Sequence, residues 1–191
     1  MKQYYIPYDE TKDINYIYVL AFYKAATYNK LTKRYDTISY RSLSNLSEQI
    51  KSVSNKKISV STLGRILKDS KYSMILSVPE DRKAIIIKND IKSLNKFVVL
   101  SEKEADLLLD KDDILLAKYL LYLKYFCGYS KSKKINTTAK QFLLACGYST
   151  NSNDYISRIS EFNRLLVDQG IIKIEKYRDD NGNERNSYSL A

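Results

Sequence analysis

Two stretches decide how this sequence is read: Ser61-Thr62-Leu63-Gly64-Arg65-Ile66-Leu67-Lys68-Asp69 and Ser160-Glu161-Phe162-Asn163-Arg164-Leu165-Leu166-Val167-Asp168. Laid over each other at an offset of 99 residues, Ser, Arg, Leu and Asp coincide and two further apolar places are kept. Upstream, Asp13-Ile14 and Asp113-Ile114 each open a long apolar helical pattern, at an offset of 100. Downstream, each copy runs into a β-rich segment, a polar turn and a second β-rich segment. A nine-residue match alone arises by chance. The same order of elements on both sides of it, at nearly one offset, reads as an internal repeat.

The first copy predicts a helix over 13–28. Ile14, Ile17, Tyr18, Ala21, Ala25 and Tyr28 recur at helical spacing, and Asp13 is placed to cap. A short extended piece follows at 37–39, then helices over 43–52 and 59–70, the latter capped by Ser59 or Ser61. Strand formers fill 72–78, a turn takes 79–83, and 84–88 returns. The second copy predicts helices over 112–127, 138–146 and 153–168, with an extended piece at 135–136. Thr138-x-x-Gln141 has capping-box form, and Gly147 and Gly170 stand where helices stop. A hairpin over 171–190 closes the copy. The expected organisation is a first domain over 1–90, an acidic connector over 91–112 and a second domain over 113–191. Within the connector Phe97–Leu100 suits a strand, and Ser101-x-x-Glu104 is a second capping-box pattern.

Three helices followed by a two-stranded hairpin resemble the winged-helix family of DNA-binding domains. The resemblance covers nearly all of the chain in two copies. It rests on element order, on the S-x-φ-x-R-φ-L-x-D pattern and on Leu165–Ile172 running into β structure. The fold class it implies is α+β, mainly helical, with two consecutive winged helix-turn-helix domains. It also implies that the third helix of each copy enters the major groove. With the apolar side chains turned inward, Ser61, Thr62, Arg65 and Lys68 face outward in the first copy. Ser157, Arg158, Ser160, Glu161 and Arg164 do so in the second. These groups hydrogen-bond bases or phosphates, and Arg suits guanine O6 and N7. The blander account is a solvated face with Arg65 and Arg164 paired to Asp69 and Asp168 four residues on. Arg82 and Lys83 at the first wing, and Arg178 and Arg185 at the second, are further candidate phosphate contacts, diluted by Asp81, Asp179 and Asp180.

Charge agrees in sign. The chain holds 32 Lys and Arg against 22 Asp and Glu, a net of +10. Residues 1–100 carry 18 basic and 9 acidic side chains, 102–113 a net of −4, and 114–191 a net of +5. Phosphate contacts dominate affinity for nucleic acid and need this sign.

Composition also excludes. With no His in the chain, Ser-His and Cys-His catalysis and histidine metal sites are absent. Cys127 and Cys146 form no CxxC, and no GxGxxG or GxxxxGK[ST] occurs. Eighteen Tyr accompany abundant Lys, Asn and Ile, the usage of an AT-rich coding sequence, and carry no argument for binding. A tyrosine nucleophile acting on DNA lacks both a histidine metal site and an arginine cluster ahead of Tyr188. No enzyme and no cofactor is expected. The polar N-terminus is not a signal peptide, and the apolar runs 16–23 and 114–127 fall short of the roughly 20 residues that span a bilayer. With two isolated cysteines, a cytoplasmic protein without a membrane partner is expected.

The expected partner is double-stranded DNA, with a homodimer as a further expectation. By architecture alone, two linked winged helices resemble replication initiators of plasmids and phages. The alternatives are a transcriptional regulator and a winged-helix protein–protein adaptor.

Overall fold

A computed structural model describes residues 3–9, 13–30, 34–73, 75–79, 84–88 and 96–191, and only the backbone of residues 28, 29 and 34. The chain is α+β, with seven α-helices and three small antiparallel sheets among the described residues. It divides into two compact units, one of Met1–Pro7 and Asp13–Ile114, the other of Tyr8–Lys12 and Leu115–Ala191.

The first unit runs β1 (Gln3–Pro7), α1 (Tyr16–Ala25), β2 (Thr27–Asn29), β3 (Arg34–Ser39), α2 (Leu43–Ser54), α3 (Val60–Lys68), β4 (Leu76–Ser77), β5 (Ala84–Ile87), β6 (Phe97–Ser101) and α4 (Glu102–Lys111). α1 is apolar on every side, so it must be enclosed. Ile17, Val19, Leu20, Ala21 and Phe22 have no exposure at all. It is shorter than its apolar pattern. The cap is Asn15, whose side chain accepts from the N–H groups of Ile17 and Tyr18, and not Asp13. Its far end stops at Ala25 because Thr27–Asn29 pair with β3. α2 and α3 are amphipathic and bury Leu46, Ile50, Leu63 and Ile66, α2 packing against α1 and α3 against α2. The buried Ser47 hydroxyl donates to the Ile58 carbonyl at 2.5 Å and fixes the turn between them. α3 ends in a 3-10 turn, Ser70–Tyr72, and among the described residues of the expected strand over 72–78 Leu76–Ser77 are extended as β4.

The expected connector over 91–112 is corrected over its described residues. β6 pairs antiparallel with β1, from Gln3↔Ser101 to Pro7↔Phe97. α4 follows directly through a complete capping box of Ser101 and Glu104, and its Asp106 pairs with Lys24 of α1. The physical reason is periodicity. Ala105, Leu108 and Leu109 give the acidic segment one apolar face, which it buries, while Glu102, Asp106 and Asp110 keep the charge outside.

The second unit runs α5 (Ile114–Tyr129), β7 (Lys134–Asn136), α6 (Ala139–Ala145), α7 (Asn153–Asp168), β8 (Ile172–Arg178) and β9 (Glu184–Leu190). α5 is again buried nearly all round, Lys118 included, whose ammonium lies 5.0 Å from the centre of the Tyr148 ring. α6 is anchored by Phe142 and Leu143, and its N-terminus carries the expected capping box of Thr138 and Gln141. α7 buries Ile159, Phe162 and Leu166, and Gly170 at φ 64 turns the chain out of it. Cys127 is buried, Cys146 is half-buried, and both are free thiols.

Both units carry one topology. Helix, strand, helix, helix, strand, strand occur in that order as α1, β3, α2, α3, β4, β5 and as α5, β7, α6, α7, β8, β9. In each sheet the third of these strands lies between the other two, β3-β5-β4 and β7-β9-β8, with β2 added outside β3 in the first unit.

Candidate nucleic-acid interface

α3 presents the first set of expected residues. Ser59 caps it, taking the Thr62 N–H at 3.2 Å and lying 3.0 Å from the Ser61 hydroxyl and 2.9 Å from that of Thr62. Ser61 is exposed and Thr62 half-buried, so the three hydroxyls cluster at the positive end of the helix. Arg65 and Lys68 are exposed one and two turns on. The bland pairing is not made: among the described residues Arg65 has no carboxylate partner. Asp69 instead takes the Lys71 N–H at 3.0 Å and lies 3.5 Å from its ammonium. α3 thus carries two cations and no acid. Arg82 and Lys83 lie outside the described residues.

α7 presents the second set on a different background. Ser157, Ser160, Glu161 and Arg164 are exposed, and Arg164 has no carboxylate partner among the described residues. Arg158 is half-buried, its guanidinium 5.6 Å from the centre of the Phe162 ring. Where α3 has Thr62 and Lys68, α7 has Glu161 and the exposed Val167.

The β8–β9 hairpin departs furthest from expectation. Arg178 is exposed, but the Arg185 Nε donates to Asp179 at 2.9 Å across the turn. The same carboxylate accepts the N–H groups of Asn181 at 3.1 Å and Asn183 at 2.9 Å, and these bonds, with Arg185, hold its pKa below the ordinary carboxylate value. Lys176 pairs with Glu184 at 3.0 Å, and Lys134 of β7 with Glu175 at 2.6 Å. The candidate phosphate contact Arg185 is thus engaged by Asp179, which the sequence placed beside it, and braces the turn. Across 153–191 six basic side chains meet seven acidic ones, whereas 114–153 holds six lysines and no acid. The net of +5 over the second copy conceals this split, which a count by element makes visible.

Between α7, β8, β9 and the start of α6 lies a cleft of about 260 Å³, lined among others by Thr138, Ser160, Asn163, Lys176 and Arg185. A polar chain spans its floor. The Tyr119 hydroxyl donates to Asn163 Oδ1 at 2.7 Å, and Asn163 Nδ2 donates to the Tyr188 hydroxyl at 3.3 Å. Burial foremost, then Tyr188, pushes the Tyr119 phenol well above its usual pKa, so it serves as a neutral donor. Sequence reasoning took position 163 for part of the helix pattern and missed this role. The signal available was a polar residue in place of Gly64.

A larger groove of about 520 Å³ separates the end of α2 from α4, but Lys56 and Asp112 on its rim pair with each other. Among the described residues no cluster of ligating side chains suits a metal ion, and no helix is long and apolar enough to cross a membrane. No protein family, curated protein or solved structure matches the chain.

Proposed function

We propose that the chain binds double-stranded DNA without catalysis, through two winged-helix units, and serves as a replication initiator of a plasmid, phage or other mobile element. The observation that carries the duplex reading is the repeated topology, with the Arg65 and Arg164 guanidiniums exposed and unclaimed by carboxylates at matched places. A third helix offered in this way suits the major groove. The units contribute unequally: α3, cationic and free of acids, is the principal reader, and α7 the lesser one. The initiator reading rests on the pairing of two such units alone.

The test is binding of the full chain to mixed-sequence duplex across a salt series, followed by selection of bound fragments from the source DNA. Duplex binding that weakens steeply with salt supports the reading. Absent or salt-independent binding removes it and favours a protein adaptor. Recovered sites in a direct-repeat array support initiation, and a single inverted repeat over a promoter replaces it with transcriptional regulation.

A further inference from the structure

We infer that the end of α5 and the turn after it form a site for single-stranded DNA, separate from the faces of α3 and α7. The observations are a ladder of rings and a concentration of lysines on one short piece of chain. The Tyr122 and Phe126 rings lie 4.6 Å apart, Phe126 and Tyr125 5.1 Å, and Tyr125 and Tyr129 4.6 Å. Tyr8 packs on the inner side of Tyr125 at 4.9 Å. The ladder therefore begins in the core and ends at Tyr129, which is 57% exposed.

The cations follow at once. Ser130 accepts the Lys133 N–H through its carbonyl at 3.1 Å, so 130–133 is a tight turn with Lys131 at its corner, exposed and without a partner among the described residues. The Lys133 ammonium donates to the Gly128 carbonyl at 2.7 Å and serves the helix end. Lys134 is claimed by Glu175. Asp9, next to Tyr8, is a carboxylate among the described residues of the segment that brings in Tyr8. At the turn itself Lys131 and Lys133 are exposed, and no acid occurs between residues 114 and 153. None of residues 124–134 lines the cleft beside α7.

An exposed ring beside the unpartnered Lys131 and the neighbouring ammonium of Lys133 fits a polyanion that can offer a flat face. Single strands do so, because their bases splay and stack on aromatic side chains while lysines take the phosphates. The bases of a duplex are already stacked on one another. An acidic protein surface would use the lysines and leave the rings unexplained.

The site does not depend on the duplex reading, and the experiment keeps the two apart. Binding of the full chain is measured by fluorescence anisotropy to labelled oligo-dT of about 15 nucleotides, to an abasic strand of equal length and to a mixed-sequence duplex. The wild type is expected to bind oligo-dT more tightly than the abasic strand. Tyr129→Ala should weaken oligo-dT binding about tenfold and leave the duplex unaffected. Tyr129→Phe, which keeps the ring, should bind as the wild type does. Lys131→Glu, on an exposed turn, should weaken both single-stranded probes, and Arg65→Ala neither. Equal binding of abasic strand and oligo-dT would overturn the proposal in favour of a general polyanion or acidic-protein surface. Parallel loss of duplex binding in Tyr129→Ala would reassign the patch to the duplex backbone. Unchanged oligo-dT binding in both Tyr129→Ala and Lys131→Glu would remove it.

Discussion

Replacing Arg65 with alanine separates the reading of α3 as a DNA contact from its reading as a solvated helix face. The side chain is exposed and has no partner among the described residues, while its backbone carbonyl accepts from Asp69 and is untouched by the change. Arg and Ala are both good helix formers, so stability should move by no more than about 0.5 kcal/mol. Binding should move much more. A guanidinium bidentate to guanine contributes about 1–3 kcal/mol of discrimination, or roughly 5- to 150-fold in Kd. A guanidinium on phosphate would instead weaken all sequences alike and lower the salt slope by about one. Anisotropy titration of a selected fragment and a scrambled duplex, each over several salt concentrations, distinguishes these outcomes. If Arg65→Ala binds both probes as the wild type does, with unchanged melting, α3 is not a contact and the argument built on it fails. Arg185→Ala is the internal contrast. That side chain already belongs to Asp179, so its loss should loosen the turn 179–184 and leave duplex affinity nearly unchanged.

Phe142→Ala should destabilise the second unit by about 3–5 kcal/mol, since this fully buried ring packs edge-on against Tyr119 and is one of two anchors of the seven-residue α6; denaturant unfolding measures it, and a loss under 1 kcal/mol would refute the assignment. Because the folded turn lowers the pKa of Asp179, its stabilisation is complete above the unfolded carboxylate value and is lost as pH falls through the lowered one. The amide shifts of Asn181 and Asn183 should therefore titrate with a midpoint below the usual Asp value of about 3.9; a midpoint at or above that value contradicts the hydrogen bonding. Burial pushes the Cys127 thiol up to about 11, so at pH 8 iodoacetamide should label the half-buried Cys146 well before it, and equal rates by mass spectrometry would show that the core around α5 opens.

What was legible in the sequence was local. α7 spans the expected 153–168, and the capping boxes at Ser101 and Thr138 both form. Gly147 and Gly170 take positive φ where helices end. Each of these is decided within about one helical turn of chain. What was illegible depends on distant partners. β1 is only five residues, and its pairing partner Phe97–Ser101 lies some ninety residues on, so no window containing one contains the other. The connector reading failed for the same cause, because its charge was read without the surface that its leucines cover. At the candidate site, outward direction on a helix follows from periodicity, so Arg65 and Arg164 could be placed. That Asp179 captures Arg185 depends on the turn bringing residues six apart into contact, and composition alone treats the pair only as opposite charges.

The two units show which parts of a repeated fold are tied and which are free. At the offset of 99, Leu63 and Phe162 are both buried, Ser61 and Ser160 both exposed, and Arg65 and Arg164 both exposed. Packing accounts for the first pair, because a core position tolerates only apolar volume. It does not account for the arginines, which touch no core and have no carboxylate to hold them among the described residues. The neighbouring outward places are not held: Thr62 faces Glu161 in the comparison, and Lys68 faces Val167. Position 64 shows a third behaviour. Gly64 leaves ordinary contact distance to Leu43, with an added Cβ 3.6 Å away, whereas Asn163 ties α7 to Tyr119 and Tyr188. The second unit thus fixes its third helix to its hairpin with hydrogen bonds and pairs Lys176 and Arg185 of that hairpin with carboxylates, while its lysine surplus lies in 114–153. A unit arranged in this way keeps its third helix in place but carries its lysine surplus on other elements, and on that difference rest the two separate nucleic-acid contacts proposed above.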